Sequence, residues 1–353
     1  MPTNRPSWLP AYIPELQGLR GVAVLAVLVY HSHTHLEGTW IHYASLWGWA
    51  GVNLFFVLSG FLITSILIEA RGKPHYFRNF YARRALRIWP VYVLLLAVCY
   101  AAPEWFLGDT VANQTHWKTL LAYALFVQNL RHAALPGALG PTWSLAIEEQ
   151  YYFVWAPVVR FCRGRVLGWL LPGILLAMLT VSPLVRYLQP HWINGTHTAI
   201  HLDGIALGSL LALGLHRLPL ARRAWLWIGL GAAGLGFLAT ATVAAGTSLL
   251  DSALALAFAG VVLASVAGTG ARNPFAVGLR RGPLPFYGKI SYGMYMTHIL
   301  VFIYFGSFDV RLERMGVAGN LAIVGLRLIA STVVATALWY GFESQILKLK
   351  RYF

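Results

Sequence analysis

Charged residues are scarce in this sequence. Only 11% of its 353 residues are Asp, Glu, Lys or Arg, whereas 58% are hydrophobic. A soluble domain carries about a quarter charged residues and slightly under half apolar ones. The shortage of charge therefore excludes soluble globular, disordered and collagen-like chains. Together with the 14 tryptophans, it predicts a membrane protein with many spans.

Cysteines and a recognisable leader are also lacking. Cys99 and Cys162 lie in or beside apolar stretches, so they form neither a disulfide framework nor a metal-ligand pattern. Residues 1–20 contain several prolines and charges but no compact apolar core, so we expect the first apolar run to be a retained helix. Because no repeat or long linker interrupts the chain, we predict one integral membrane domain over 1–353, without an appended soluble domain.

Apolar runs long enough to cross a bilayer, which takes about 17 to 25 residues, occur ten times. They lie at 16–34, 48–68, 86–103, 143–160, 166–188, 199–215, 224–244, 250–268, 287–306 and 321–342. The stretch 117–131 is apolar but short, and we predict that it is re-entrant or interfacial. The fold class expected is therefore all-α, a polytopic membrane protein with about ten transmembrane helices.

Basic residues outnumber acidic ones by 27 to 12. In a soluble protein this excess would indicate nucleic acid, but in a membrane protein basic residues collect in cytoplasmic loops. With ten spans and both termini in the cytoplasm, 18 of the 27 fall on the cytoplasmic side and four outside. An eleventh span at 117–131 would move 12 of those 18 outside. We therefore predict ten spans in the cell (inner or plasma) membrane, with the lipid bilayer and not nucleic acid as a partner.

Ionisable residues inside a span are costly, which makes them candidates for function. Arg20 and His31 are eleven residues apart on the first span, which is three helical turns plus about 20°, so they share one face and differ by about 16 Å in height. A guanidinium at the inner surface can hold a phosphate, and an imidazole can take a proton near neutral pH. Alternatively, Arg20 is a boundary anchor and His31 begins a polar outer turn.

Other polar residues divide between the two predicted sides of the membrane. Arg84 and Arg87 share a face at the start of the third span, where they could cradle an anionic cofactor or simply anchor the helix. Toward the outer side, Glu148 and Glu149 enter an apolar span as neighbours about 100° apart, so they cannot both face one partner. Either carboxylate could orient an imidazole, bind a hydroxyl or pair with an arginine. The remaining outer candidates are Asn53, His201 and Asp203.

These residues fall in motifs that resemble the acyltransferase-3 family of integral membrane O-acyltransferases. The matching segments are ELQGLRGVAVLAVLVYHS (15–32), GVNLFFVLSGFLIT (51–64), YARRALRIWP (81–90), WSLAIEEQYY (143–152) and ISYGMYMTHI (290–299). Two positions depart from the family pattern. His201 stands where an arginine often precedes Asp203, and Glu343 is followed by Ser344-Gln345 instead of a residue and a proline.

The resemblance implies an acyl-CoA donor, usually acetyl-CoA, bound from the cytoplasm. It implies a hydroxyl acceptor on an extracytoplasmic or lipid-linked saccharide, or less often on a macrolide-like small molecule. His31 would be the essential catalytic residue, with Glu149 or Glu148 beside it. Arg20, Arg84, Arg87 and Ser59 would hold the donor; Asn53, Tyr151, His201 and Asp203 would contact the acceptor; no metal is expected.

A transporter or export subunit is the rival hypothesis, because intramembrane acids and histidines also form proton relays. Transporters usually contain inverted repeats with broken helices in matching halves. The sequence shows no such repeat, and its best polar motifs lie in the first 150 residues. We therefore predict a membrane O-acyltransferase, with His31 acting as a general base or carrying the acyl group covalently.

Overall fold

The computed structural model describes residues 6–10, 12–107, 117–130, 137–162, 164–188, 194–243 and 248–353, without the side chains of 117, 164–168 and 307–311. Within these ranges the chain is helical and has no strand. The long helices are α1 (Pro14–Tyr30), α2 (Ala50–Ala70), α3 (Tyr76–Ala101), α4 (Thr142–Phe161), α5 (Gly164–Leu188), α6 (Leu202–Arg217), α7 (Arg222–Thr242), α8 (Leu250–Ala267), α9 (Leu284–Glu313) and α10 (Val317–Leu338).

Short helical segments connect and extend these long helices. They are Trp40–Ser45, Pro103–Phe106, Trp117–Ala124, Pro274–Arg280 and Ser344–Leu347, the 3₁₀ turns His33–Leu36, Gln128–Leu130, Gly137–Leu139, Thr198–Ile200 and Lys348–Tyr352, and the π-helical turn Trp339–Glu343.

Each of the ten predicted spans coincides with one long helix, which confirms the all-α polytopic class. Six of these helices, α2, α3, α5, α7, α8 and α10, are long and apolar enough to cross a membrane. Helices α1 and α6 have only 17 and 16 residues. The count of ten spans and the cytoplasmic termini therefore remain predictions.

The third predicted span differs most from its helix. The apolar run begins at 86, but α3 begins at Tyr76, so Arg84 and Arg87 lie within the helix and not at its start. The reason is that the polar turns before 86 still have residues with adequate helical propensity and continue the same helix.

The segment 117–131 contains a helix of eight residues, Trp117–Ala124, which is too short to cross a bilayer. Residue 131 lies outside the described ranges. The Gln150 amide on α4 donates to the Phe126 carbonyl at 2.7 Å and to Asn129 Oδ1 at 2.8 Å, and so ties the segment to the bundle. Its position relative to the membrane remains a prediction.

Glycines allow the helices around the site to pack closely. A Cβ atom on Gly21 would lie 2.2 Å from the Leu284 carbonyl oxygen, and one on Gly288 would lie 1.8 Å from that of Gln17, so α1 and α9 touch through their backbones. Gly60 of α2 and Gly208 of α6 form a similar close contact. Small residues at helix contacts are typical of membrane bundles.

Large apolar side chains cover the outside of the bundle. Phe153, Trp169 and Trp227 are between 71% and 84% exposed. Such exposure is unfavourable in water but not in lipid, where hydrocarbon tails solvate the same surface. The exposed tryptophans and phenylalanines are therefore consistent with a membrane environment.

Candidate active site

A cavity lies between α1, α2, α3, α4 and α9. It contains about 830 Å³ of space free of protein atoms, part of it open to solvent. Five residues predicted for the site line it: Arg20, Ser59, Arg84, Arg87 and Glu148. These residues come from four helices, so the fold brings together side chains that are up to 128 positions apart in the chain.

Arg20 enters the cavity from α1 and contacts α9. Its Nε and Nη2 atoms donate to Ser291 Oγ at 3.3 and 3.1 Å, and Ser291 in turn donates to the Gly288 carbonyl at 2.9 Å. Ser291 is fully buried. A single neutral hydroxyl does not satisfy the five N–H groups of a guanidinium, so Arg20 retains donors for an anion.

The two arginines of α3 lie on the same side of the cavity, as their spacing predicts. Arg84 stacks over the Tyr152 ring at 6.0 Å and makes no hydrogen bond or ion pair with the described residues. Arg87 packs over Trp339 and Tyr292, and its Nη1 lies 3.6 Å from Glu343 Oε2. The cavity therefore contains three guanidinium groups with unused hydrogen-bond donors.

The two neighbouring glutamates point to different places. Glu148 lines the cavity and accepts hydrogen bonds from Ser59 Oγ at 2.6 Å and from the Tyr152 hydroxyl at 2.9 Å. Glu149 is absent from the lining, and its Oε1 is buried without a hydrogen-bond partner among the described residues. The two side chains thus diverge as expected. Glu148 is the one that lies with the arginines, and it does not contact His31.

His31 lies just beyond the last residue of α1 and contacts a second histidine. Its Nδ1 is 2.9 Å from the Val27 carbonyl oxygen and 3.3 Å from Nε2 of His298 on α9. The two ring centroids are 4.9 Å apart. Neither glutamate contacts His31 in the described structure, and a role of Glu149 or Glu148 toward the imidazole or the acceptor remains a prediction.

His31 does not line the cavity, but Tyr295 connects the cavity with the histidine pair. Tyr295, which lines the cavity, shares a 2.7 Å hydrogen bond with Ser144 and lies next to His298, with ring centroids 5.8 Å apart. Because Arg20 and His31 both contact α9, the shared face predicted for α1 is the face that packs on this helix. The cavity and the pair His31–His298 therefore lie one after the other along the contact between α1 and α9.

Two of the four residues predicted to contact the acceptor, Asn53 and Asp203, lie in a separate polar cluster. Asp203 accepts from Arg186 and Ser252, both at 2.8 Å, and Asn53 donates to Asp251 at 3.1 Å. Arg186 also lies 3.5 Å from Asp251, so its guanidinium joins α5 to α6 and α8, and Asp251 extends the network to Asn53 on α2. Asp203 thus has an arginine partner that comes from α5 and not from the position two residues before it.

Tyr151 and His201 are likewise engaged in contacts between helices. The Tyr151 hydroxyl shares a 2.6 Å hydrogen bond with Ser209 of α6 and is buried away from the cavity. His201 Nε2 lies 3.0 Å from the Gly195 carbonyl oxygen, and its ring packs on Trp143 with centroids 4.7 Å apart. Neither residue lines the cavity.

Three residues near the site were not predicted to belong to it. Ser291 and His298 are seven positions apart, which is about two helical turns, so the motif ISYGMYMTHI already contains the signal for one shared face. His298 lies in the middle of an apolar run, a position typical of a core histidine, and Glu343 closes another run, where an interfacial carboxylate would be expected. Instead, Glu343 is 3% exposed and lies on the π-helical turn, a conformation that is frequent at functional sites.

The donor atoms of the site suit an anion more than a cation. Within the described residues, no group of three or more His, Cys, Asp or Glu side chains could hold a metal ion. Three guanidiniums and one carboxylate, that of Glu148, line the cavity, and a second carboxylate, Glu343, lies 3.6 Å from Arg87 outside the lining. A bound anion would find an excess of positive charge and planar N–H donors there.

Comparisons with known proteins agree with the motifs. A model of the acyltransferase-3 family, described as an acyltransferase domain, matches residues 13–340. The chain is 35% identical over 157 residues to the peptidoglycan O-acetyltransferase OatA of Listeria monocytogenes, covering 41% of this chain and 24% of that protein. It is 35% identical over 160 residues to YrhL of Bacillus subtilis, provisionally named a peptidoglycan O-acetyltransferase, covering 41% and 23%.

A third relative extends the similarity further along the chain. A provisionally named O-acetyltransferase of Staphylococcus aureus is 30% identical over 226 residues, covering 57% of this chain and 34% of the relative. The aligned part thus spans about a quarter to a third of the length of these relatives. No solved structure matches the chain significantly.

Proposed function

The chain belongs to the acyltransferase-3 family, and we propose that it is a membrane O-acetyltransferase that moves an acetyl group from acetyl-CoA to a hydroxyl of a saccharide. The donor enters from the predicted cytoplasmic side, and the acceptor lies on the other side or is lipid-linked. The saccharide class follows from relatives named peptidoglycan O-acetyltransferases.

The observation that carries this proposal is a cavity lined by three arginines, next to the contact between α1 and α9 where His31 also lies. Arg20, Arg84 and Arg87 have unused N–H donors facing one space. The phosphates of CoA are tetrahedral anions, and a planar guanidinium can bind two oxygens of one phosphate in a bidentate manner. A donor held there can extend its acyl end along α1 and α9 toward His31, about 16 Å further along the helix.

The reaction needs a base near the thioester. The hydroxyl of the acceptor gives its proton to His31, and its oxygen attacks the carbonyl carbon of the thioester. The carbon–sulfur bond then breaks, the ester forms, and the CoA sulfur takes the proton back from His31. In an alternative order, His31 first accepts the acetyl group and then passes it on, with the same products.

Glu148 and Ser59 have a supporting role in this proposal. Their 2.6 Å hydrogen bond places a carboxylate among the arginines, and this keeps the guanidiniums apart and oriented when no donor is bound. We assign no step to Glu149. Asn53, Tyr151, His201 and Asp203 stabilise the bundle next to the acceptor side through the contacts described above.

Labelled acetyl transfer in membranes tests the proposal. Membranes containing wild-type protein or His31→Ala, in equal amounts, are incubated with [¹⁴C]acetyl-CoA, and the label that mild alkali releases as acetate is counted. We expect wild type to form the alkali-labile ester and His31→Ala to lose it, with His75→Asn as an exposed-histidine control. Transfer by His31→Ala at the wild-type rate would remove His31 from the mechanism, and no transfer by wild type would contradict the proposed function.

A further inference from the structure

His298 is the fully buried partner of His31. It lies on α9 between the rings of Tyr295 and Phe302, with centroid distances of 5.8 and 5.7 Å. Its Nδ1 is 2.6 Å from the Tyr295 carbonyl oxygen, and its Nε2 is 3.3 Å from His31 Nδ1. The side chain therefore has both ring nitrogens engaged and no freedom to rotate.

The partners determine which nitrogens carry protons. A carbonyl oxygen can only accept, so Nδ1 of His298 must donate to Tyr295, and the neutral ring then has a lone pair on Nε2. The Val27 carbonyl likewise requires a proton on His31 Nδ1. That proton also lies toward the lone pair of His298, so the neutral His31 ring has its own lone pair on Nε2.

We propose that His298 is a positioning residue that holds the His31 ring and accepts a hydrogen bond from its Nδ1, so that His31 Nε2 is presented to the acceptor hydroxyl. This inference rests on the proposed function, in which His31 is the base. The Val27 carbonyl alone selects the tautomer, but it belongs to the same helix turn as His31. His298 adds a second anchor from α9, which fixes the plane of the ring relative to the other helix.

The hydrogen bond matters most when the proton moves. As the hydroxyl proton reaches Nε2, His31 becomes an imidazolium ion, and its Nδ1–H becomes a stronger donor. The lone pair of the buried His298 and the Val27 carbonyl then accept from a charged donor, and hydrogen bonds from a charged donor are stronger than those between neutral groups. A carboxylate performs this task in serine hydrolases, and here a neutral imidazole occupies the equivalent position.

Two substitutions separate this role from simple packing. His298→Leu retains an apolar side chain of similar bulk but removes the acceptor, and we expect kcat for acetyl transfer to fall about ten- to hundredfold while KM for acetyl-CoA stays unchanged. His298→Gln can place its Oε1 near the position of Nε2, and we expect it to recover most of the loss. Thr297→Val, a buried change at the adjacent position of α9, is the matched control and should remain close to wild type.

All variants are compared at equal amounts of monodisperse protein. The proposal would be overturned if His298→Leu and His298→Gln lost the same activity while Thr297→Val stayed normal. A wild type that transfers no acetyl would contradict the proposed function instead, and the next measurement tests His298 without any turnover.

Nitrogen NMR of the unmodified protein observes the protons directly. Protein with ¹⁵N-labelled histidine is reconstituted in lipid bilayers, and the His31 and His298 signals are identified by their loss in His31→Gln and His298→Gln. We expect a protonated His31 Nδ1 that correlates in space with an unprotonated His298 Nε2. A protonated His298 Nε2, or no correlation between the two nitrogens, would overturn the inference.

Discussion

Removing Arg84 should weaken donor binding without slowing the chemical step. Its guanidinium faces the cavity and makes no hydrogen bond or ion pair with the described residues, so its N–H groups are available to a ligand. A hydrogen bond to a charged group contributes about 1.5 to 3 kcal/mol. At about 1.4 kcal/mol for each factor of ten, Arg84→Ala should raise KM for acetyl-CoA about ten- to 150-fold. Because the phosphates do not react, kcat at saturating donor should stay near wild type.

A truncated donor shows whether the lost interaction involves phosphate. S-acetyl-pantetheine carries the same thioester as acetyl-CoA but no phosphate group. We expect Arg84→Ala and wild type to use this donor with equal kcat/KM, although wild type should use it far less efficiently than acetyl-CoA. The adjacent Arg83 is exposed and donates to the Phe353 carbonyl, so Arg83→Ala is the control and should leave both donors unaffected. An equal loss of kcat/KM with both donors in Arg84→Ala would refute the assignment.

Two further predictions concern the cavity wall and its packing. Glu343→Gln removes the negative partner that lies 3.6 Å from Arg87, so the variant should unfold at a lower temperature than wild type when no ligand is bound. In a thermal-shift assay, CoA should raise the unfolding temperature of the variant more than that of wild type, and equal shifts would contradict this. Gly288→Val brings a Cβ atom within 1.8 Å of a backbone oxygen of α1 and should abolish the yield of monodisperse protein. Gly231→Val is the control, because a Cβ atom there meets nothing within 4 Å, and it should give a normal yield. Similar yields of the two variants would show that α1 and α9 can move apart without loss of the fold.

Much of the fold was predictable because membrane spans are local features. A run of apolar residues identifies a helix without reference to the rest of the chain, and each of the ten runs corresponds to one long helix. The shared face of Arg20 and His31 followed from helical periodicity alone, and in the structure both side chains contact α9. The divergence of Glu148 and Glu149 followed from the same geometry.

The partners across helices were not predictable, because they depend on packing between distant segments. His31 and His298 are 267 positions apart, and no local pattern links them. Either glutamate could have faced the cavity, since the rotation of α4 is set by its neighbours. Glu343 ends an apolar run, which suggests an interfacial carboxylate, but it lies on a π-helical turn, is 3% exposed and is 3.6 Å from Arg87.

Transfer across a sealed bilayer tests most directly the claim that the donor and the acceptor approach His31 from opposite ends of the bundle. Purified protein is reconstituted in proteoliposomes that contain soluble muropeptides in the lumen, and [¹⁴C]acetyl-CoA is added outside. Only molecules whose arginine-lined end faces outward can use this donor, and we predict that label accumulates on the lumenal muropeptides with wild type but not with His31→Ala. Labelling that occurs only when muropeptides are present on the same side as acetyl-CoA would contradict the account.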